Sequence, residues 1–337
     1  MKYIGLDIHK DFCVATEVDK EGNVIREGRI ETNERALRDY FSSIDKGKVA
    51  LESTGIWEYV YDILDALGFD VILVNPVKTR AIAEAKIKTD KVDSKILAHL
   101  LRSNLLPEVY VGTTHMRNIK KVVKERLFLK KLSTQIKNRI HAELLRRGIK
   151  QDMNIFTTKG RKYLRSLHIT SIERELTVLK SVDTEIAASD KELREYYKTN
   201  EDAQLLTSIP GIGYYTAVSL IAVIGDIRRF SSSEKLSSYF GLVPSTHQSA
   251  TTLYHGSITK EGPSHIRFLL VQSAWSHIRV CDTSCLTRFY HRLAKRKGPR
   301  KAIIATARKM TRVIYWMLTN KESFYGGGYE PRKYSAE

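Results

Sequence analysis

With 337 residues, of which 42% are hydrophobic and 28% charged, the chain has room for two or three domains and the makeup of a globular protein rather than a disordered one. No run of about eighteen or more apolar residues occurs, which excludes a membrane-spanning helix. The opening residues Met1–Asp7 lack the apolar core of a signal peptide, so residence in the cytosol is expected. The net charge of +18 is unevenly spread: residues 1–105 hold 16 basic and 18 acidic side chains, 106–200 hold 21 and 11, and 201–337 hold 19 and 9. The whole positive excess therefore follows residue 105, which suits a polyanionic partner such as a phosphate backbone. Cys13, Cys281 and Cys285 are too few and too scattered for a disulfide framework or a zinc site. They read as reduced thiols, with Cys281 and Cys285 expected on one helix face.

In chain order, Lys2–Ile8, Phe12–Val18 and Asn23–Glu31 read as three strands of an antiparallel meander, separated by the turns Ile8–Asp11 and Asp19–Gly22. A helix is expected over Glu34–Ser43 behind the cap Asn33, then a strand at Lys48–Glu52 and a helix at Trp57–Leu67 closed by Gly68. A strand follows at Asp70–Val74, stopped by Asn75-Pro76, and a helix over Thr89–Arg102. This order predicts a mixed sheet with helices on its faces, in the ribonuclease-H-like topology. Met116–Arg147 and Glu173–Lys198 carry apolar residues at helical spacing without Pro or Gly, and suggest a long helical hairpin or coiled coil serving as spacer or oligomerisation arm. From 202 to 320 the chain reads as mainly helical, and Tyr325–Glu337 as a loose tail. The expected division is 1–112 α/β, 113–200 coiled-coil, 201–322 helical and 323–337 tail.

Asp7 and Glu52 each end an otherwise apolar strand, where an acid is costly to bury unless it is paired or binds metal. Asp90 and Asp93 lie three apart at a helix start and point the same way. Singly, each has an ordinary explanation in capping or strand-end hydrogen bonding. Together, four carboxylates from two strands and one helix suit one or two Mg²⁺ ions, with Mn²⁺ as a substitute, leaving positions open for a phosphate.

Three blocks, Gly5-Leu6-Asp7-Ile8-His9-Lys10, Glu52-Ser53-Thr54-Gly55 and Lys88-Thr89-Asp90-Lys91-Val92-Asp93, resemble the acidic blocks of the DEDD transposases of bacterial insertion sequences, relatives of the Piv/MooV DNA invertases. The resemblance continues through Leu205–Gly213, Tyr239–Ser249, Gly256–Gly262 and Gly298–Lys309, in the family's order. It implies a RuvC-like N-terminal domain whose Asp7, Glu52, Asp90 and Asp93 bind Mg²⁺, and a C-terminal domain bearing a nucleophilic serine. Ser249 matches that serine best, with Ser245 second. This chain reads His247-Gln248-Ser249-Ala250 where the family commonly has His-Ser-Ser-Gly. The resemblance also implies double-stranded donor and target DNA, a structured guide RNA and a dimer or tetramer in the bacterial nucleoid.

Pro210-Gly211-Ile212-Gly213 reads as a helix-hairpin-helix-like turn, whose Gly211 and Gly213 can bring backbone N–H groups to a DNA phosphate. Lys260, Arg267, Arg300, Lys301, Arg308 and Lys309 are further candidate phosphate contacts. The alternative reading with the same acids is a RuvC-like, Holliday-junction endonuclease with water as nucleophile. An actin-like kinase would need a Gly/Thr-rich phosphate turn where Ile8–Asp11 stands. A non-catalytic nucleic-acid-binding protein would not lose a metal-dependent activity on substitution of Asp7.

Overall fold

A computed structural model describes residues 2–82, 90–249 and 252–325, with only the backbone for 246–249 and 252–255. The chain divides into two compact units, Met1–Val111 and Gly112–Glu337. No described helix is long and apolar enough to cross a membrane.

In the first unit, β1 (Tyr3–Ile8), β2 (Phe12–Val18) and β3 (Val24–Glu31) form the antiparallel meander. They are followed by α1 (Glu34–Ser42), β4 (Lys48–Glu52), α2 (Trp57–Ala66), β5 (Asp70–Val74), α3 (Pro76–Ile82) and α4 (Asp90–Arg102). The sheet order is β3-β2-β1-β4-β5, with β4 parallel to both β1 and β5. Alternation assigns the faces. Ile4, Leu6 and Ile8 join Val49, Leu51, Leu37, Phe41 and Leu64 in a core beneath α1 and α2. Ala50 and Val74 pack against Leu97 and Leu101 of α4 on the opposite face. Helix α3 was not anticipated. Asn75-Pro76 reads as a stop for β5, yet Asn75 Oδ1 accepts from the N–H of Val77 and Lys78 at 3.0 and 3.2 Å, and Pro76 occupies the first helical position. The same pair therefore starts a helix. Thr89, expected to open α4, lies outside the described residues.

The second unit opens with α5 (Thr114–Arg146), α6 (Thr158–Ser166) and α7 (Thr170–Thr199). Buried residues on α7 recur in steps of three and four, through Ile172, Leu176, Leu179, Val182 and Ile186. They share a core with Ile136, Ile140 and Leu144 of α5, and with Ile155 and Leu164 from the connection. The other ends of α5 and α7 are pinned by Arg126, which pairs with Asp190 and lies 3.9 Å from the Tyr215 ring centre. There Ile119, Val123, Leu193 and Tyr196 enter a second core made with the helices that follow. These are α8 (Glu201–Leu206), α9 (Tyr214–Ile224), α10 (Ser233–Tyr239), α11 (Ser264–Val280), α12 (Cys285–Lys297) and α13 (Pro299–Asn320).

Between α10 and α11 the chain forms an antiparallel hairpin, β6 (Pro244–Ser249) and β7 (Thr252–Ile258), where helix and loop were expected. Ser245–Thr252 is polar apart from Ala250, so no apolar alternation announced strands. Cys281 and Cys285 do not share a helix face: α11 ends at Val280 with Cys281 as its cap, and α12 begins at Cys285. The break is made by Ser284, whose hydroxyl caps α12 by accepting from Thr287 N–H at 3.0 Å. The first residues of the expected tail are anchored. Phe324 N–H donates to Ser208 Oγ at 2.9 Å, and residues 326–337 lie outside the described residues.

His277 ties this region together. It is fully buried, with Nδ1 2.7 Å from the Pro210 carbonyl and Nε2 2.6 Å from Ser284 Oγ. Nδ1–H therefore donates to the carbonyl, while the Ser284 hydroxyl donates to Thr287 Oγ1 at 3.1 Å. Burial lowers its pKa below the ordinary 6.5. Below about pH 6.5 the unfolded chain takes up a proton at this histidine that the folded chain refuses. Stability is thus fully present above that value and is lost as pH falls toward the depressed folded one. Urea melts from pH 8 to 5 should show His277→Gln removing a slope of up to about 1.4 kcal/mol per pH unit; parallel slopes for both proteins would contradict this.

Candidate active site

Gly5 determines where the first unit's chemistry sits. A Cβ on Gly5 would lie 2.0 Å from the Ser94 carbonyl oxygen and 2.5 Å from Ala98 N, so α4 rests directly on the β1 backbone. Asp7, two residues on, shares the face of Gly5 and comes under the first turn of α4, which carries Asp90 and Asp93. The Thr16 and Ser94 hydroxyls, 2.8 Å apart, fix the helix on β2 as well. Glu52 reaches the same face by register. Leu6 pairs with Leu51 in the parallel β1–β4 ladder, so Asp7 and Glu52 are the residues that follow on adjacent strands. Both stand at the carboxyl ends, the edge where α/β sheets place their ligands.

The tightest grouping among the described residues is Asp7, His9 and Asp90, whose ligand atoms all lie within 4.8 Å of one another. His9 Nε2 is 3.1 Å from Asp7 Oδ2 and 3.4 Å from Asp90 Oδ1, and its ring packs against Phe12 at 4.7 Å. Glu52 and Asp93 lie outside this trio. Burial pushes the Asp7 carboxyl above its ordinary value, the nearby Asp93 and Asp90 push it further, and His9 draws it back. A divalent cation is what such a half-buried, mutually repelling set of oxygens accommodates, because it offsets both the repulsion and the lost hydration.

Sequence reasoning passed over His9. Its signal was present, since a histidine two residues beyond a strand-end acid faces the same side as that acid. A groove of about 530 Å³ lined by Phe12, Val14, Gly28, Arg29, Lys91 and Asp90 opens beside the trio.

In the second unit, Ser249 ends β6 opposite Thr252; its side chain lies outside the described residues. The root of the hairpin is held firmly. Thr259 N–H donates to the Val243 carbonyl and Lys260 N–H to that of Gly241, at 2.9 and 3.2 Å. Gly241 has a φ of +66°, and a Cβ there would meet the Glu261 carbonyl at 2.3 Å. Arg267 Nη1 donates to the carbonyls of Phe240, Glu261 and Gly262 at 3.2, 2.5 and 3.2 Å. Its guanidinium braces the root of the hairpin.

Gly211, with a φ of +94°, packs onto α11, where a Cβ would be 2.7 Å from both the Ser273 carbonyl and His277 N; Gly213 has open space. Lys309 is engaged within the chain, over the Phe289 ring at 4.9 Å. Arg300, Lys301 and Arg308 line a groove against the hairpin root.

Two family models match in sequence order. The DEDD transposase model of the IS110 type, described as Transposase, spans residues 4–147, and the Transposase IS116/IS110/IS902 family model spans 203–291. The chain is 28% identical to the transposase for insertion sequence element IS1111A of Coxiella burnetii, over 97% of this chain and 92% of that one. It is 27% identical to the pilin gene-inverting protein of Moraxella lacunata, over 96% and 97%, and 24% identical to the IS1328 transposase of Yersinia enterocolitica, over 96% and 98%.

Proposed function

Since the chain belongs to the IS110-type family of DEDD transposases, enzymes that cut and rejoin DNA, we propose that it does so through two sets of residues, the strand-end acids and Ser249. The observation that carries this reading is the convergence of Asp7, His9 and Asp90 within 4.8 Å at the carboxyl end of a five-stranded mixed sheet compatible with a RuvC-like domain. Asp7, Glu52, Asp90 and Asp93 would hold Mg²⁺, or Mn²⁺ in its place, near the scissile phosphate. The ion supplies Lewis-acid polarisation of that phosphate.

Ser249 Oγ attacks the phosphorus. A serine–phosphate ester bond forms as one DNA phosphodiester bond breaks, and the departing deoxyribose oxygen leaves with a proton. Rejoining reverses this with a deoxyribose hydroxyl of the partner strand, so one ester is exchanged for another with little net energy. The rigid hairpin root supports the role of Ser249, because a nucleophile gains from being fixed in direction. The positive excess after residue 105 supports binding of donor and target duplexes and of a structured guide RNA. A dimer or tetramer would let the acids of one subunit serve the serine of another.

Incubation with DNA carrying the element's ends should give a covalent protein–DNA adduct, resistant to denaturing gel electrophoresis, with the wild-type protein. Ser249→Ala should give none, at unchanged DNA affinity. Equal adduct from both proteins would eliminate Ser249 as nucleophile, and cleaved strands without adduct would favour attack by water.

A further inference from the structure

A groove of about 380 Å³ lies between the root of the hairpin and helices α12 and α13. Its floor is apolar, formed by Leu242, Pro244, Ile258, Leu293 and Ile304. Its cationic lining is Lys297, Arg300, Lys301 and Arg308, with no acid among the lining residues. Neighbouring cations are used internally: Arg312 pairs with Glu234 at 3.3 Å, and Arg267 binds backbone carbonyls. Among the described residues the four groove cations have no such partner.

Their position adds to the imbalance. Arg300 and Lys301 stand in the first turn of α13, which has no acid and no side-chain cap, where the helix dipole disfavours positive charge. Cations set against each other and against a dipole, beside an apolar floor, fit an occupant with an apolar body and anionic flanks. The volume lies at the small end of the roughly 300–1,000 Å³ range of small-molecule sites, which suits one nucleotide and not a duplex.

We infer that this groove holds a single unstacked nucleotide of the DNA strand engaged by the hairpin, its base on the apolar floor and its flanking phosphates on Lys297, Arg300, Lys301 and Arg308. This rests on the reading of the chain as a strand-exchange enzyme acting through Ser249. Pro244, in the groove, is five residues of strand from Ser249, about 17 Å. The held nucleotide is therefore a few steps along the strand from the attacked phosphate. An extruded nucleotide would mark where the duplex opens, at the cost of its stacking.

The test uses the full-length protein and fluorescence anisotropy. The probes are an eight-nucleotide deoxyuridine strand, the same backbone with every base removed, and the matching uridine RNA. Wild type should bind the deoxyuridine strand about tenfold more tightly than the abasic one. Ala305→Phe, which fills the groove without touching its charge, should bring the two to equality. Arg300→Ala with Arg308→Ala should weaken both DNA strands about tenfold and lower the salt slope by about 1.4, two single-strand phosphate contacts.

An unchanged base preference in Ala305→Phe, or an unchanged salt slope in the double variant, would overturn the assignment, provided thermal melts show both variants folded. Tighter binding of the RNA than of the DNA by wild type would overturn the choice of DNA. Adduct formation separates this from the reading beneath it. Loss of adduct in Ser249→Ala with wild-type base preference in Ala305→Phe sinks the groove alone, and the reverse pattern sinks the serine alone.

Discussion

Asp7→Asn should abolish Mg²⁺-dependent strand cleavage, lowering its rate by about 10³-fold or more, while leaving DNA affinity unchanged. That factor corresponds to about 4 kcal/mol of transition-state stabilisation, the scale expected when the oxygens holding a phosphate-polarising ion are lost. The substitution is isosteric, so the packing beneath α4 survives. Its effect on stability should run the other way. Burial and the neighbouring Asp93 and Asp90 raise the Asp7 pKa, so the folded protein favours the protonated form and gives up stability as pH rises through that raised value. At neutral pH a neutral amide avoids the penalty, and without metal the variant should melt at or above the wild-type temperature. Such a gain in stability with loss of activity is common where a fold keeps charge buried for function. Cleavage within tenfold of wild type would remove Asp7 from the metal centre, and a marked fall in melting temperature would show that its role is structural.

Gly5→Ala should be the most disruptive small substitution in the first unit. The added methyl would sit 2.0 Å from the Ser94 carbonyl oxygen and 2.9 Å from Leu97 Cβ, and the nearest of these atoms is helix backbone that no rotamer change can relieve. Helix α4 must lift from β1, opening the packing of Leu97 and Leu101 against Ala50 and Val74. Overpacking of a core ordinarily costs about 1–3 kcal/mol, and forcing two backbones apart should reach about 3 kcal/mol or more. Chemical denaturation followed by circular dichroism would measure it. The same displacement carries Asp90 and Asp93 away from Asp7, so refolded Gly5→Ala should also bind metal poorly. A variant as stable and as active as wild type would mean that α4 is not held at this height.

Much of the first unit was legible because its residues answer to local rules. Ile4, Leu6 and Ile8 alternate with Tyr3, Gly5 and Asp7, Asn33 caps α1, and Asp90 opens α4 at the end where an acid is favoured. The strand positions of Asp7 and Glu52 could be read in the same way. Other features depend on partners far along the chain. Nothing beside Gly211 announces that it packs on α11, and Arg267 reads as a candidate phosphate contact in the sequence, whereas three backbone carbonyls surround it. Strand β6 is polar beyond Pro244 and the hairpin carries no regular apolar period, so tertiary anchoring at Gly241 and Lys260 makes the strands rather than local preference. His9 becomes a site residue only once Asp90, far along the chain, is brought within 3.4 Å of it.

The two long helices have a wider consequence. At 33 and 30 residues they span about 50 and 45 Å, and the core along their shared length is separate from the one into which Ile119, Val123, Leu193 and Tyr196 are set. Matched removal or addition of seven residues in each would change their reach by about 10 Å and leave the anchored ends as they are. The far end of the pair, with α6, could thus move nearer or farther over evolution without redesign of the core at the anchored end.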